Sequence, residues 1–417
     1  MLNKTKMSDP VLFEIVNEEL DRQVHNIEMI ASESSVPLEV MELSGSVFTN
    51  KTLEGYIGSR FQAGSEIADK LEALAIQRAK DLFGAEHANV QVYSGSSANY
   101  GVYAAILEPN DIVLSMRLDQ GGHLTHGSPA NFLSKVYDYH FYGVNEETEQ
   151  IDYDALEKQA HELKPKLIIT GGSSYARLID YERISKIAKD VGAYFMVDMA
   201  HICGLVAAKV IPSPVPYADF VTSSTTKTFC GPRSGIILCK AEHAKKLDRG
   251  VFPGSIGSSH LTTVAAKTWS LNYAGSPEFK KIMEQILVNG KALARELTAK
   301  GFRIISGTTD NHLVVVDLRS KNITGKDFQN ALDYVGITVN KNQIPFDTQS
   351  PLVTSGVRIG VTSITQRGLK EKEIKEIVEI MDDVANNYDN EEVLKECKVK
   401  AQALIANFPL YPEGSFD

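Results

Sequence analysis

Between residues 111 and 239 short apolar runs keep returning, among them Asp111–Met116, Lys166–Thr170, Tyr194–Asp198, Ala218–Val221 and Gly235–Cys239. A helical pattern over Tyr181–Val191, stopped by Gly192, lies between two of them. Strands that read as continuous apolar runs belong in a sheet covered on both faces. Alternation with amphipathic helices makes that sheet mostly parallel, so the expected class is α/β. With 43% hydrophobic residues in 417, the chain can bury a large core and form two or three domains.

Parallel sheets gather ligands at the carboxyl ends of their strands. Two such ends here carry charge. Asp198 closes the run from Tyr194, and Lys227 follows Thr222–Thr226 just beyond Ala218–Val221. Either residue alone reads as an isolated structural charge. Together they fit pyridoxal phosphate, with lysine as Schiff base and the acid against the pyridinium nitrogen. Upstream, the strand Val90–Tyr93 runs into Ser94-Gly95-Ser96-Ser97-Ala98-Asn99 and a helix over Tyr100–Leu107. A small polar loop before a helix offers N–H groups and a dipole to a phosphate, although simple capping explains it as well. Gly121-Gly122-His123 after the 111–116 strand points to a tight backbone approach, with His123 available to stack on a ring.

The remaining chain supplies the frame. Val11, Leu12, Ile15, Val16 and Leu20 give an amphipathic arm, read as an element that packs on a partner subunit. Residues 43–65 are rich in Gly, Ser and Thr without periodicity, a stretch more often functional than idle. Glu66–Phe83 is a helix closed by Gly84. From Ser276 the texture changes: helix Pro277–Lys300, strands Phe302–Ile305 and His312–Leu318, helix Thr324–Tyr334, strand Val357–Gly360 and helix Lys370–Ala385. The expected domains are an arm (1–45), a large coenzyme-binding domain (46–275) and a small C-terminal α+β domain (276–417).

Net charge of -10 argues against nucleic acid or an anionic membrane as the main partner. No run approaches the roughly 18 apolar residues of a membrane span. The four cysteines (203, 230, 239, 397) lack metal or disulfide spacing, and no metal site is expected. No apolar signal region follows Met1, so a cytoplasmic protein is expected.

Along nearly its whole length the chain resembles serine hydroxymethyltransferase, a fold-type I pyridoxal phosphate enzyme. The matching stretches are Ile30–Glu33, Gly121–Pro129, Val197–His201, Lys227-Thr228 with Gly231-Pro232-Arg233, Thr309–Leu313, Val339–Asn342 and Val353–Gly360. The resemblance implies a homodimer or tetramer with shared active sites. It implies a phosphate held by Ser94, Gly95 and Ser96, with Gly257 supplied by a neighbouring subunit, and a ring hydroxyl near Ser173 and His201. Arg358 would pair with the substrate carboxylate, helped by Ser32, which reads equally as a helix cap. Glu54 matches the family's acid/base glutamate, offered from the other subunit, and Thr225, two residues before Lys227, is a further catalytic candidate.

The chain also departs from the family. Thr52 stands where a tyrosine is usual, and Phe61-Gln62-Ala63-Gly64 where Tyr-Tyr-Gly-Gly is usual. Tyr93, Gln120 and Thr226 replace histidines, Ser97 a glutamine, and Gly257-Ser258-Ser259 a Gly-Gly-Pro loop. Thr52 and Gln62 thus fall in the substrate pocket without an acidic phenol. Leu118, Leu124, Phe61 and Asn342 remain as candidates for tetrahydrofolate. Three readings stay open: a serine–glycine hydroxymethyltransferase; a folate-independent paralogue (threonine-type aldolase or transaldolase, α-substituted serine hydroxymethyltransferase, or decarboxylase); and a non-catalytic pseudoenzyme.

Overall fold

The computed structural model describes residues 3–412 and 414–415. The chain divides into two compact units, Val36–Leu287 and Met1–Ser35 together with Val288–Asp417. This differs from the expected arm of 1–45 and small domain from 276. Ile27 and Glu28 pair in parallel with Ile337 and Thr338, and the Gly360 N–H donates to the Met29 carbonyl at 2.7 Å. The segment before Ser35 is therefore built into the C-terminal unit.

The larger unit is organised by a seven-stranded sheet. Its strands are β1 (His87–Asn89), β2 (Ile112–Met116), β3 (Asp138–Tyr142), β4 (Leu167–Thr170), β5 (Tyr194–Asp198), β6 (Phe220–Ser224) and β7 (Gly235–Cys239). The spatial order is β1-β7-β6-β5-β4-β2-β3. Only β7 runs against the rest. Every residue of β4, β6 and β7 is buried, as a doubly covered sheet demands. One face packs Val102, Tyr103 and Ile106 against Val113, Ile169, Met196, Phe220 and Ile237. Those three residues lie on helix α1 (Gly95–Ile106). The neighbouring helix Ala244–Val251 approaches α1 closely because its Gly250 faces Gly101 of α1. A Cβ on Gly250 would sit 2.6 Å from the Ala105 nitrogen.

Several elements follow the sequence reading closely. Glu66–Phe83 and Tyr181–Val191 are helices ended by left-handed Gly84 and Gly192. Others differ for identifiable reasons. The strand expected at Val90–Tyr93 lies instead at His87–Asn89. Lys267 Nζ donates to both the Val90 and Gly235 carbonyls at 2.6 Å, so a side chain takes the acceptors a ladder would use. Helix α1 begins five residues before Tyr100 because Ser94 caps it. Strand β3 and the helices Tyr153–Leu163, Leu261–Tyr273 and Glu391–Ile405 were not expected. Leu261–Tyr273 is buried on most sides, which erases the one-sided apolar stripe by which a surface helix is recognised.

The smaller unit carries an antiparallel sheet of Arg303–Ile304, Leu313–Asp317, Gly356–Gly360 and Asn340–Asn342, in that order. Helices Gly325–Val335, Glu371–Asn386 and Glu391–Ile405 accompany it, giving the expected α+β texture. Among the described residues no helix is long and apolar enough to cross a membrane.

Candidate active site

The parallel strands β2, β4, β5 and β6 end on the same edge of the sheet, and the loops that leave them carry the candidate residues. His123 follows β2, Ser173 follows β4, Asp198 ends β5 and Lys227 follows β6. Asp198 and Thr222 are register partners on β5 and β6. The loops are tied together. The Ser173 N–H donates to the Gly121 carbonyl at 2.8 Å, and a Cβ on Gly171 would lie 2.2 Å from the Asp198 carbonyl oxygen.

A buried hydrogen-bond network surrounds Asp198. Asn99 Nδ2 donates to Asp198 Oδ2 at 2.9 Å and to Thr125 Oγ1 at 2.8 Å, while Asn99 Oδ1 accepts from Thr222 Oγ1 at 2.6 Å. The His123 N–H donates to His126 Nδ1 at 3.3 Å. A neutral His126 therefore carries its proton on Nε2, which faces Asp198 Oδ2 at 3.2 Å. The Ala200 N–H reaches Asp198 Oδ1 at 3.0 Å. Burial by itself would raise this carboxyl. The hydrogen bonds from His126 and Asn99, with the His123 ring nearby, outweigh burial and hold it well below the usual carboxylate range.

The same network fixes His123. Thr125 donates its N–H to His123 Nδ1 at 3.2 Å. Because that nitrogen already accepts, the Thr125 hydroxyl 2.7 Å away donates to it as well, while accepting from Asn99. With Nδ1 an acceptor twice over, the ring proton of His123 resides on Nε2. The ligand-type atoms of His123, His126 and Asp198 lie within 4.8 Å of one another, a spacing that also occurs around metal ions. Here hydrogen bonds account for it.

Lys227 is half-buried in the loop between β6 and β7. The fully buried Thr225 hydroxyl donates to the Pro232 carbonyl at 2.6 Å, and the Gly231 N–H returns to the Thr225 carbonyl at 2.7 Å. Thr228 Oγ1 donates to the His201 carbonyl at 2.8 Å and accepts from the Gly204 N–H at 3.0 Å. His201 is thereby joined to the lysine loop. Burial pushes the Cys203 thiol up to about 12, the Ser223 hydrogen bond and the Lys227 charge pull it down, and Asp198 pushes it up. One thiol lies within electrostatic reach of both the lysine and the acid.

At the neighbouring end of the sheet, Ser94 opens α1. Its hydroxyl accepts from the Ser97 N–H at 3.1 Å, and the Ser94 N–H donates back to Ser97 Oγ at 2.8 Å. A helix has no internal partners for its first N–H groups, here including those of Gly95 and Ser96. A Cβ on Gly95 would come within 3.4 Å of Ser224, so α1 starts against the end of β6.

A second cluster forms in the same unit. Glu54, Phe61 and Gly257 line an open recess of about 580 Å³ with Phe252, Pro253, Gly254, Ser255 and Ile256. Gln62 clasps Glu54 at two points: the Glu54 N–H donates to Gln62 Oε1 at 2.9 Å, and Gln62 Nε2 donates to Glu54 Oε2 at 2.7 Å. Tyr93 donates to the Ser258 carbonyl at 2.6 Å and stacks on His260 at 4.4 Å. Thr52 is exposed, as are Leu118, Leu124 and Phe61.

The smaller unit holds the other candidates. Arg358 lies in Gly356–Gly360 opposite Asn340, and its Nε donates to Asn340 Oδ1 at 3.1 Å. Burial pulls its guanidinium down to about 10. A Cβ on Gly360 would sit 2.4 Å from the Ala31 Cα, so the turn carrying Ser32 lies against the strand carrying Arg358. Asn342 pairs with Gly356 on the same sheet and donates to the Gln343 carbonyl at 2.6 Å.

The family model for serine hydroxymethyltransferase matches residues 5–381. The chain belongs to the serine hydroxymethyltransferase family. The family is of fold-type I and depends on pyridoxal phosphate, and the sheet described above is the mostly parallel one that fold requires. The residues present fit the coenzyme. It needs an amine, an ionised acid for its ring nitrogen and N–H groups for its phosphate, and Lys227, Asp198 and the start of α1 are groups of these kinds. Sequence reasoning missed Asn99, Thr125, His126, Thr222 and Cys203. Asn99 and Thr222 are fully buried, and an asparagine within the otherwise apolar face of α1 was the signal that could have drawn notice.

Proposed function

We propose that the chain is a pyridoxal phosphate-dependent hydroxymethyltransferase or aldolase that makes or breaks the Cα–Cβ bond of a β-hydroxy-α-amino acid. The network joining Asp198, Asn99, Thr125 and His123 beside the lysine loop carries this reading. When bound, the coenzyme supplies an electron sink for a bond breaking at the substrate Cα. Lys227 tethers it through the Nζ amine. Asp198, kept ionised, holds a proton on the ring nitrogen. His123 offers the face of an imidazole whose tautomer is already fixed. Ser94, Gly95 and Ser96 bind the phosphate, with Gly257 of a neighbouring copy in a homodimer or tetramer, and Ser173 and His201 flank the ring hydroxyl. Thr225 shapes the lysine loop through Pro232. Arg358 pairs with the substrate carboxylate, assisted by Ser32, and so orients the bond to be broken. Glu54 exchanges a proton with the β-hydroxyl.

Serine–glycine interconversion with transfer of the one-carbon unit to tetrahydrofolate is the leading form of the reaction. The exposed apolar side chains of Leu118, Leu124 and Phe61 support a flat co-substrate, and Asn342 is a further candidate. A folate-independent paralogue is the second form. Its support is Gln62, whose amide is engaged with Glu54 where the family presents a phenol, together with Thr52, Tyr93 and Thr226. The test is incubation with L-serine, L-threonine and α-methylserine, with and without tetrahydrofolate. Release of glycine or alanine with an aldehyde is expected. Purified protein that binds no coenzyme, or cleaves none of these substrates, would overturn the proposal.

A further inference from the structure

We infer that Gln62 is a positioning residue that assigns the exchangeable proton of Glu54 to Oε1. This rests on the acid/base reading of Glu54 given above. The orientation of the Gln62 amide is decided by its partners. The Glu54 N–H can only donate, so the amide atom it meets at 2.9 Å is the oxygen. The other amide atom is then nitrogen, which can only donate, and it meets Glu54 Oε2 at 2.7 Å. A carboxyl C=O oxygen accepts more strongly than its O–H oxygen, so this bond favours keeping Oε2 unprotonated and placing any proton on Oε1. A proton that Glu54 takes from a β-hydroxyl, as the Cα–Cβ bond breaks and the hydroxyl oxygen becomes a carbonyl, is thus directed onto Oε1 and leaves from it.

The backbone around Glu54 is held with the same firmness. The Leu53 N–H donates to Ser258 Oγ at 2.9 Å, and the Phe61 N–H donates to the Glu54 carbonyl at 3.2 Å. Tyr93 holds the Ser258 carbonyl at 2.6 Å. The carboxylate is thus clasped at one oxygen and anchored on both sides of its own residue. A 1 Å error in placing such a group can cost about 100-fold in rate. Gln62 does for orientation what it cannot do as an acid.

The experiment is a double-mutant cycle on the holoenzyme with Q62M, E54Q and the double variant, using the amino acid that wild type cleaves. Q62M is expected to lower kcat about 10- to 100-fold with KM for the amino acid little changed. In the E54Q background Q62M should have no further effect, because its role runs through that carboxylate. Q62E, a carboxyl facing a carboxyl, should lose activity at neutral pH and regain it as pH falls and the new group gains a proton to donate. Difference infrared spectra should show the Glu54 carboxyl band displaced in Q62M. An equal Q62M effect with and without Glu54, or an unaltered Glu54 band, would overturn the inference. Failure of wild type to cleave substrate, or full activity of E54Q, would instead defeat the functional reading beneath it.

Discussion

Asn99 donates to Asp198 Oδ2 at 2.9 Å from within a helix whose other inward side chains are largely apolar. The bond couples the acid at the end of β5 to Thr125 and thence to His123. Replacing Asn99 with alanine leaves Asp198, Thr125 and Thr222 each short of a buried partner. Such losses cost about 1–3 kcal/mol. The N99A variant should therefore hold its coenzyme about 10-fold or more weakly, read by titrating apoprotein and following the visible absorbance. Unchanged affinity would remove Asn99 from the site.

Lys267 offers a test of the fold that is independent of the chemistry. A neutral amine has two hydrogens, and here two carbonyls accept them at 2.6 Å. Burial lowers this amine from 10.5 to about 7. Between those values the unfolded chain binds a proton that the folded chain does not. Stability from this group is therefore fully present above about 10.5 and is lost as pH falls toward 7. K267M should destabilise the protein by about 2–4 kcal/mol, since two buried carbonyls lose their donor. It should also flatten the rise in stability between pH 7 and 9, as measured by urea unfolding.

Much of this was legible in advance and some was not. The placement of His123, Asp198 and Lys227 at or just beyond the ends of sheet strands was legible from the apolar runs that precede them. Gly84 and Gly192 closed their helices as expected because left-handed termini favour glycine. Lys267 was invisible as a determinant, because a sequence does not reveal that one long side chain will occupy the carbonyls of two strands. Gln62 was read only as a lost phenol. Its clasp on Glu54 depends on a turn that brings position 62 back beside position 54, and no local periodicity encodes that turn.

Glu28 gives a pH dependence of the opposite sign. Burial raises its carboxyl to about 7, with Glu33 adding to the rise and the Ile30 N–H and Arg22 opposing it. The folded chain thus keeps a proton that the unfolded chain sheds. The contribution is complete below about 4.5 and is lost as pH rises through 7. E28Q, which mimics the protonated form, should remove that decline. Denaturation curves of the two proteins at pH 5 and pH 8 would check it, and parallel curves would refute it.

Two glycines should behave differently. A Cβ on Gly204 would lie 2.0 Å from the Thr228 carbonyl oxygen, whereas nothing lies within 4 Å of one on Gly257. G204A should push the lysine loop away and weaken coenzyme binding. G257A should melt like wild type, and should lose coenzyme affinity only in the oligomer if that loop serves a neighbouring copy. Ultracentrifugation combined with absorbance titration separates these outcomes.

Because β7 is the one reversed strand, the segment bearing Lys227 is a hairpin and not a crossover. Both of its ends return to adjacent strands, so its length can change without shifting any helix that covers the sheet. In that arrangement the reach of the Lys227 side chain is adjustable by insertion or deletion at a single place, while Asp198 stays fixed on the neighbouring strand.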